Sequence, residues 1–147
     1  MLLLEKIKKD QIIARKEGHK KIGELLTTLF SEASMVGKNN GNRESTDEEV
    51  IATVKKFIKN INETKNNVQL SEMQLYELDS EIELYEKYIP KQFDENELKE
   101  IVNKLIEENG ISKEPRQMGV VMGLLKSKFF GQFDGKIASG IVKDCLS

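Results

Sequence analysis

The chain has 147 residues but only one cysteine, one histidine, two prolines and no tryptophan. The single cysteine, Cys145, excludes an intrachain disulfide and any metal site built from several cysteines. We interpret Cys145 as a small apolar residue of the last helix rather than as a reactive thiol. The histidine, His19, cannot form a usual zinc site without cysteine partners, and we interpret it as a surface residue.

The sequence also lacks the short motifs that carry common catalytic chemistry. It contains no Gly-x-Ser-x-Gly, no phosphate-binding Gly-Lys-Ser/Thr loop and no dinucleotide fingerprint. Paired carboxylates such as Glu81 and Glu83 suit exposed helix faces. We therefore predict that the chain alone is not an enzyme and that it uses no cofactor and no metal.

No long apolar run is present. The first four residues are apolar, but Glu5 ends the run far below the length of a signal-peptide core or a membrane span. We expect a soluble, cytoplasmic protein without a membrane partner.

Charged residues make up 33% of the chain and aromatic residues 6%, which is typical of a charged helical protein. Apolar residues recur at intervals of three and four, and Thr46, Ser71 and Asp94 occupy positions suited to helix N-caps. A polar loop is predicted over residues 37–42. The predicted helices cover residues 3–16, 20–36, 47–68, 72–89, 95–109, 115–129 and 136–146.

The predicted fold is all-α and has two parts. The apolar positions of the third and fourth helices form narrow seams, which favour an antiparallel hairpin with coiled-coil-like packing. The first two helices would cover the remaining apolar faces of this hairpin. Because Pro90 cannot continue a helix, we place a boundary there. The prediction is an N-terminal helical hairpin layer of about four helices over 1–90, followed by a C-terminal three-helix bundle over 91–147.

The basic residues of the second part are concentrated at its end. Residues 113–147 hold six Lys or Arg and three Asp or Glu, whereas residues 94–112 hold two and six. Backbone N–H groups at the start of the last helix could meet a phosphate, with Gly135 allowing close approach. The alternative is a glycine stop followed by an ordinary helix start. The candidate residues for contacting the phosphates of a nucleic acid are Lys126, Lys128, Gly135, Lys136 and Lys143.

Two further glycines, Gly119 and Gly123, are four residues apart in an apolar stretch and therefore lie on one helix face. They allow two interpretations. Either they let helices pack closely inside the second part, or they leave a smooth patch for an RNA backbone.

Three segments carry a resemblance to a known family. They are Tyr88–Gln92 (Tyr-Ile-Pro-Lys-Gln), Met118–Gly123 (Met-Gly-Val-Val-Met-Gly) and Gly131–Lys136 (Gly-Gln-Phe-Asp-Gly-Lys). In this order they resemble the GatB/YqeY family, and the resemblance covers nearly the whole chain. Stand-alone YqeY proteins are similar to the tail of the GatB subunit of tRNA-dependent amidotransferases. There the tail touches tRNA, and a separate cradle domain performs the chemistry.

The resemblance implies a non-catalytic accessory module that binds tRNA or a related RNA. It also implies a link to amidotransferase biology; the family label of a carbon–nitrogen ligase with glutamine as amide donor would be inherited from the larger enzyme. No DNA specificity is implied. This chain departs from many relatives at Val120, where they carry Lys, and near Thr27, where they carry Arg, and both departures remove positive charge. The alternative function is a protein-interaction module that docks on an amidotransferase or another partner through the long hairpin.

Overall fold

A computed structural model of the chain describes residues 2–147. Over these residues the chain is helical and contains no strand, which confirms the all-α prediction. None of the helices found there is both long and apolar enough to cross a membrane. The α-helices are α1 (Leu3–Lys16), α2 (Lys20–Asn39), α3 (Asp47–Asn67), α4 (Glu72–Glu86), α5 (Glu95–Glu108), α6 (Met118–Phe129) and α7 (Gly135–Cys145), with a 3-10 turn at Pro115–Gln117 before α6.

The chain divides into two compact units, Met1–Ile89 and Pro90–Ser147, called unit 1 and unit 2 below. Within unit 1, α1 packs on α2, α2 on α3 and α3 on α4. The turn between α1 and α2 uses Gly18 at a φ of 79°, a left-handed conformation that glycine adopts without steric cost. The core of unit 1 consists of Leu4, Ile7, Leu26, Leu29, Ala33, Val50, Val54, Tyr85 and Tyr88.

The predicted seam of α3 is only partly correct. The apolar spacing predicts inward positions at Ile51, Val54, Ile58, Ile61 and Val68. Val54 is fully buried, and Ile58 and Ile61 are partly buried against the core. However, Val50 is fully buried whereas Ile51 is only partly buried, and Val68 at the far end is 53% exposed. The fully buried residues of α3 therefore lie in its first half, and the far end of the α3–α4 hairpin is near solvent. There the side chains of Lys65 and Asp79 form an ion pair between the two helices.

The predicted start of the polar loop at residue 37 is also wrong, because α2 continues to Asn39. Gly37 is buried inside the last turn of α2, and the backbone of residues 43–45 folds back against it. The Gly37 N–H donates to Ser45 Oγ at 2.9 Å, and the Ser45 hydroxyl donates to the carbonyl oxygen of Ala33. Gly37 thus permits a close backbone approach and does not stop the helix.

Unit 2 contains α5, α6 and α7 around its own core. Asp94 caps α5 in a capping box with Glu97, as its position in the sequence predicts. The apolar residues of the last helix predict an inward face with Ile137, Ile141, Val142 and Cys145. Ile137 is instead 45% exposed, because the face of α7 that meets the core carries Ala138, Val142 and Leu146, four residues apart. The buried core of unit 2 is Leu98, Val102, Leu105, Ile106, Val121, Leu125, Phe133, Ala138, Val142 and Leu146.

Candidate nucleic-acid interface

The segment before α5 and the turn between α6 and α7 are tied together by hydrogen bonds. The Phe93 N–H donates to the carbonyl oxygen of Gln132 at 2.8 Å, and Gln132 Nε2 donates to the Lys91 carbonyl at 3.3 Å. In addition, Gln92 Nε2 of the segment before α5 donates to the carbonyl oxygen of Gly131. Two of the three segments that carry the family resemblance therefore meet each other. These motif residues fix the turn that joins α6 to α7, the two helices that carry the candidate lysines.

Aromatic packing anchors the same turn. The rings of Phe93 and Phe129 meet edge to face with 5.5 Å between their centroids, and Phe133 is buried in the core of unit 2. Gly131, at a φ of 78°, lets the chain reverse after α6. Lys126 and Lys128 thus lie at the end of α6, directly before this anchored turn.

All four candidate lysines are exposed, and none of them forms an ion pair among residues 2–147. Lys126 and Lys128 lie in the last turn of α6, Lys136 lies in the first turn of α7, and Lys143 lies in its last turn. On α7 the spacing Lys136, Gly140, Lys143 places these residues on one exposed face. The structure therefore leaves four ammonium groups available to an anion.

The start of α7 does not offer open amides, contrary to the expectation from the sequence. The Asp134 carboxylate accepts hydrogen bonds from the backbone N–H groups of Lys136 at 2.8 Å and Ile137 at 3.1 Å. This internal anion occupies the position that a phosphate would take, and its charge would repel one. The prediction of a phosphate at these amides is wrong, and α7 instead begins as an ordinary helix that is capped by its own aspartate. Gly135 is exposed, and a Cβ there would meet nothing within 4 Å.

Gly119 and Gly123 lie on the outward face of α6. A Cβ added at either position would meet no heavy atom within 4 Å, so neither glycine serves close packing within the fold. The close-packing interpretation is therefore wrong. Val120 beside them is 51% exposed, and Ser127 extends the same face. The outward face of α6 is a nearly smooth surface that ends at Lys126.

Charge is segregated between the helices of unit 2. Residues 90–147 hold nine Lys or Arg and nine Asp or Glu, so the unit is neutral as a whole. Five of the acidic residues belong to α5, whereas α6 contains two lysines and no acidic residue. Among the α-helices of unit 2, α6 therefore carries positive charge without any acidic residue.

Thr27 has a positively charged neighbour in the structure, Arg15, which the sequence did not reveal. Thr27 Oγ1 accepts hydrogen bonds from Gln11 Nε2 at 2.7 Å and from Arg15 Nη2 at 3.0 Å, and it donates to the Gly23 carbonyl. A guanidinium from α1 thus lies beside Thr27. Pairing of α1 with α2 brings it there, which no spacing along the sequence indicates.

The remaining candidates for chemistry lie apart from the lysines. Cys145 is half-buried beside a polar cleft, and burial raises the pKa of its thiol, which disfavours the reactive thiolate. The ring of His19 is exposed, with Nε2 at 3.6 Å from Glu17. In the described part of the chain, no group of three or more His, Cys, Asp or Glu side chains could hold a metal ion.

Comparison with known proteins identifies the family. No curated protein matches the sequence significantly. The model of the family described as Yqey-like protein matches residues 4–146, which is essentially the whole chain. The segments of the resemblance, the all-helical fold and this match agree, and the chain belongs to the Yqey-like protein family.

Proposed function

We propose that this chain is a non-catalytic, cytoplasmic RNA-binding module that contacts the phosphate backbone through the exposed faces of α6 and α7. The observation that carries the proposal is the smooth outward face of α6 beside four exposed lysines that form no ion pair with any residue from 2 to 147. Lysines attract phosphates without reading the sequence of the RNA, and exposed glycines let a backbone approach closely. Because Asp134 caps α7, the attraction comes from side chains and not from the helix N-terminus.

Transfer RNA is the favoured ligand, and this choice rests on the resemblance to the tail of the amidotransferase subunit. The same resemblance supports a link to tRNA-dependent amidotransferase biology. The sequence contains no Gly-x-Ser-x-Gly motif, no phosphate-binding Gly-Lys-Ser/Thr loop and no dinucleotide fingerprint, so none of these motifs supports catalysis by this chain. We therefore assign it an accessory role beside an enzyme and not the ligase activity itself.

The test is a fluorescence-anisotropy titration of labelled tRNA at several salt concentrations. The variant Lys136→Ala/Lys143→Ala should bind more weakly at low salt, and each lost phosphate contact should flatten the salt dependence by about one unit of slope. The matched control is Lys99→Ala/Lys104→Ala, which removes two exposed lysines from the acidic helix α5 and should change the affinity much less. Unchanged tRNA affinity of the α7 variant, with a normal helical spectrum, would count against the proposal.

A second candidate function has its own observation. On α4, Met73 is 69% exposed and Tyr76 is 72% exposed, although both are side chains that prefer a packed environment. These residues favour docking of the hairpin on an amidotransferase or another protein partner. In that case Met73→Ala/Tyr76→Ala should abolish capture of the partner and leave tRNA affinity unchanged, whereas the lysine variants should do the reverse.

A further inference from the structure

Helix α1 has a second apolar surface besides the face that it buries in unit 1. Ile12 is 43% exposed and Ile13 is 40% exposed. They line an open groove of about 530 Å³, where the ammonium group of Lys8 lies 5.0 Å from the ring centroid of Phe30. The α1 groove, as we call it, is lined by Leu4, Lys9, Ile12, Ile13, Lys16 and Phe30.

The charge of α1 is predominantly positive. Between Leu3 and Lys16 it has five basic and two acidic residues. One of the acidic residues, Asp10, accepts a hydrogen bond from the Tyr88 hydroxyl at 2.6 Å and is partly buried. Glu5 and Glu44 also line the groove, so its charge is mixed but basic in excess. An occupant of this groove should be apolar in the middle and acidic at its edges.

Helix α4 presents a surface of that description. Between Glu72 and Glu86 it has six acidic residues and no basic one. Met73 and Tyr76 are three residues apart and project from it, with Glu77 and Glu83 among the exposed residues of the same helix. Tyr76 also lines a shallow cleft of about 340 Å³ with Ile22 of α2. We call Met73, Tyr76, Glu77 and Glu83 the α4 face.

We propose that the occupant of the α1 groove is the α4 face of a second copy of this chain. Helix-in-groove binding uses apolar anchors three or four residues apart, and Met73 and Tyr76 are three apart. The acidic side chains would meet Lys9 and Lys16. The two surfaces share no residue, so one copy can use both at the same time. Reciprocal docking makes each contact twice and closes a symmetric dimer.

The experiment is sedimentation velocity over a range of protein concentrations, with two charge-reversed variants. The groove variant is Lys9→Glu/Lys16→Glu, and the face variant is Glu77→Lys/Glu83→Lys; all four side chains are exposed and none forms an ion pair within the described chain. The wild type should dimerise, and added salt should weaken the dimer. Each variant alone should dimerise at least about tenfold more weakly, because like charges then face each other.

An equimolar mixture of the two variants provides the sharpest readout. In the mixed pair the native groove meets the native face and the reversed groove meets the reversed face, so both contacts are complementary again. The mixture should therefore dimerise like the wild type. The control Lys126→Glu/Lys128→Glu changes unit 2 and should leave dimerisation unaltered. If a reversed variant lacks the wild-type helical spectrum, Lys9→Gln/Lys16→Gln gives the same test of the groove with a smaller loss.

Three results would overturn the proposal. The first is a wild-type chain that stays monomeric up to about 1 mM, where a free energy of about −4 kcal/mol would already populate the dimer. The second is a dimer that neither charge reversal weakens, or that mixing does not restore. The third is a monomer whose α1 groove binds phosphatidylserine vesicles and loses that binding in the groove variant, which would assign the groove to a lipid surface.

Discussion

Replacement of Gly37 by alanine should destabilise unit 1 although it places a better helix former in α2. A Cβ at this position would lie 2.5 Å from the carbonyl oxygen of Arg43 and 2.6 Å from backbone atoms of Glu44 and Ser45. Favourable contacts between heavy atoms lie near 3.5–4.0 Å, so about 1 Å of overlap must be relieved. The opposing atoms belong to the backbone and cannot rotate away as a flexible side chain would.

The magnitude follows from what must move. Overpacking of a filled site costs about 1–3 kcal/mol. Displacement of residues 43–45 also strains the buried hydrogen bonds of the Ser45 hydroxyl, and an unsatisfied buried group costs about 1–3 kcal/mol. The greater helix propensity of alanine than of glycine offsets at most about 1 kcal/mol of this cost. We expect Gly37→Ala to lower the free energy of unfolding by about 2–4 kcal/mol.

The assay is urea unfolding followed by tyrosine fluorescence. The chain has three tyrosines, at positions 76, 85 and 88, so this signal reports unit 1 alone. The matched control is Gly123→Ala in unit 2, where the new methyl group meets nothing within 4 Å. It should stabilise unit 2 by up to about 1 kcal/mol, seen by circular dichroism, and leave the tyrosine transition unchanged. An unfolding midpoint of Gly37→Ala at or above that of the wild type would refute the reasoning.

Three further predictions concern the caps, the buried tyrosines and the two units. The hydrogen bond from Arg43 and that from the Thr46 backbone lower the pKa of Glu49 from 4.5 to about 2, so its stabilising effect is present above pH 4.5 and is lost as the pH falls through about 2. Urea unfolding should accordingly show a gap between wild type and Glu49→Gln that closes over this range; a gap independent of pH would contradict it. Burial raises the pKa of Tyr85 to about 12, and burial together with the hydrogen bond to Asp10 raises the pKa of Tyr88. Phenolate absorbance should therefore show that both tyrosines ionise only at a pH above 10 to 12, together with the loss of the fold. A fragment of residues 90–147 should be soluble and helical by circular dichroism, because unit 2 has its own core; an unfolded fragment would show that the core of unit 2 needs unit 1.

Local side-chain chemistry made the helix starts predictable from the sequence. The capping boxes at Thr46, Ser71 and Asp94 each need only a capping side chain and a Glu or Gln three residues later, and all three form. The first helix likewise begins and ends where its apolar spacing and Gly18 indicate. These features depend on residues within one turn of each other.

What the sequence did not reveal depends on contacts between distant residues. Gly37 was interpreted as a loop residue, because nothing nearby in the sequence shows that residues 43–45 pack against it. Ile137 was expected to point inward, but the core selects the face of Ala138 and Val142. The exposure of Gly119 and Gly123 was likewise undecided, since an apolar stretch does not say which of its sides is covered.

The candidate site shows the same division. Exposure of the four lysines could be predicted, because long charged side chains are seldom fully buried. The cap by Asp134 carried a local signal, an aspartate directly before the first residue of a helix, yet the site was predicted as if its amides were free. The approach of Arg15 to Thr27 had no such signal, because it requires α1 to pack on α2.

The most direct test of the proposed function is the salt dependence of tRNA affinity for the full chain and for one variant without all four lysines of α6 and α7. Affinity should fall steeply with salt for the wild type, and the slope should decrease by up to about four units in the fourfold Lys→Ala variant. Its helical spectrum should stay unchanged, because these lysines are exposed and unpaired within the described chain. Equal slopes and equal affinities for the two proteins would contradict the assignment of RNA binding to this surface.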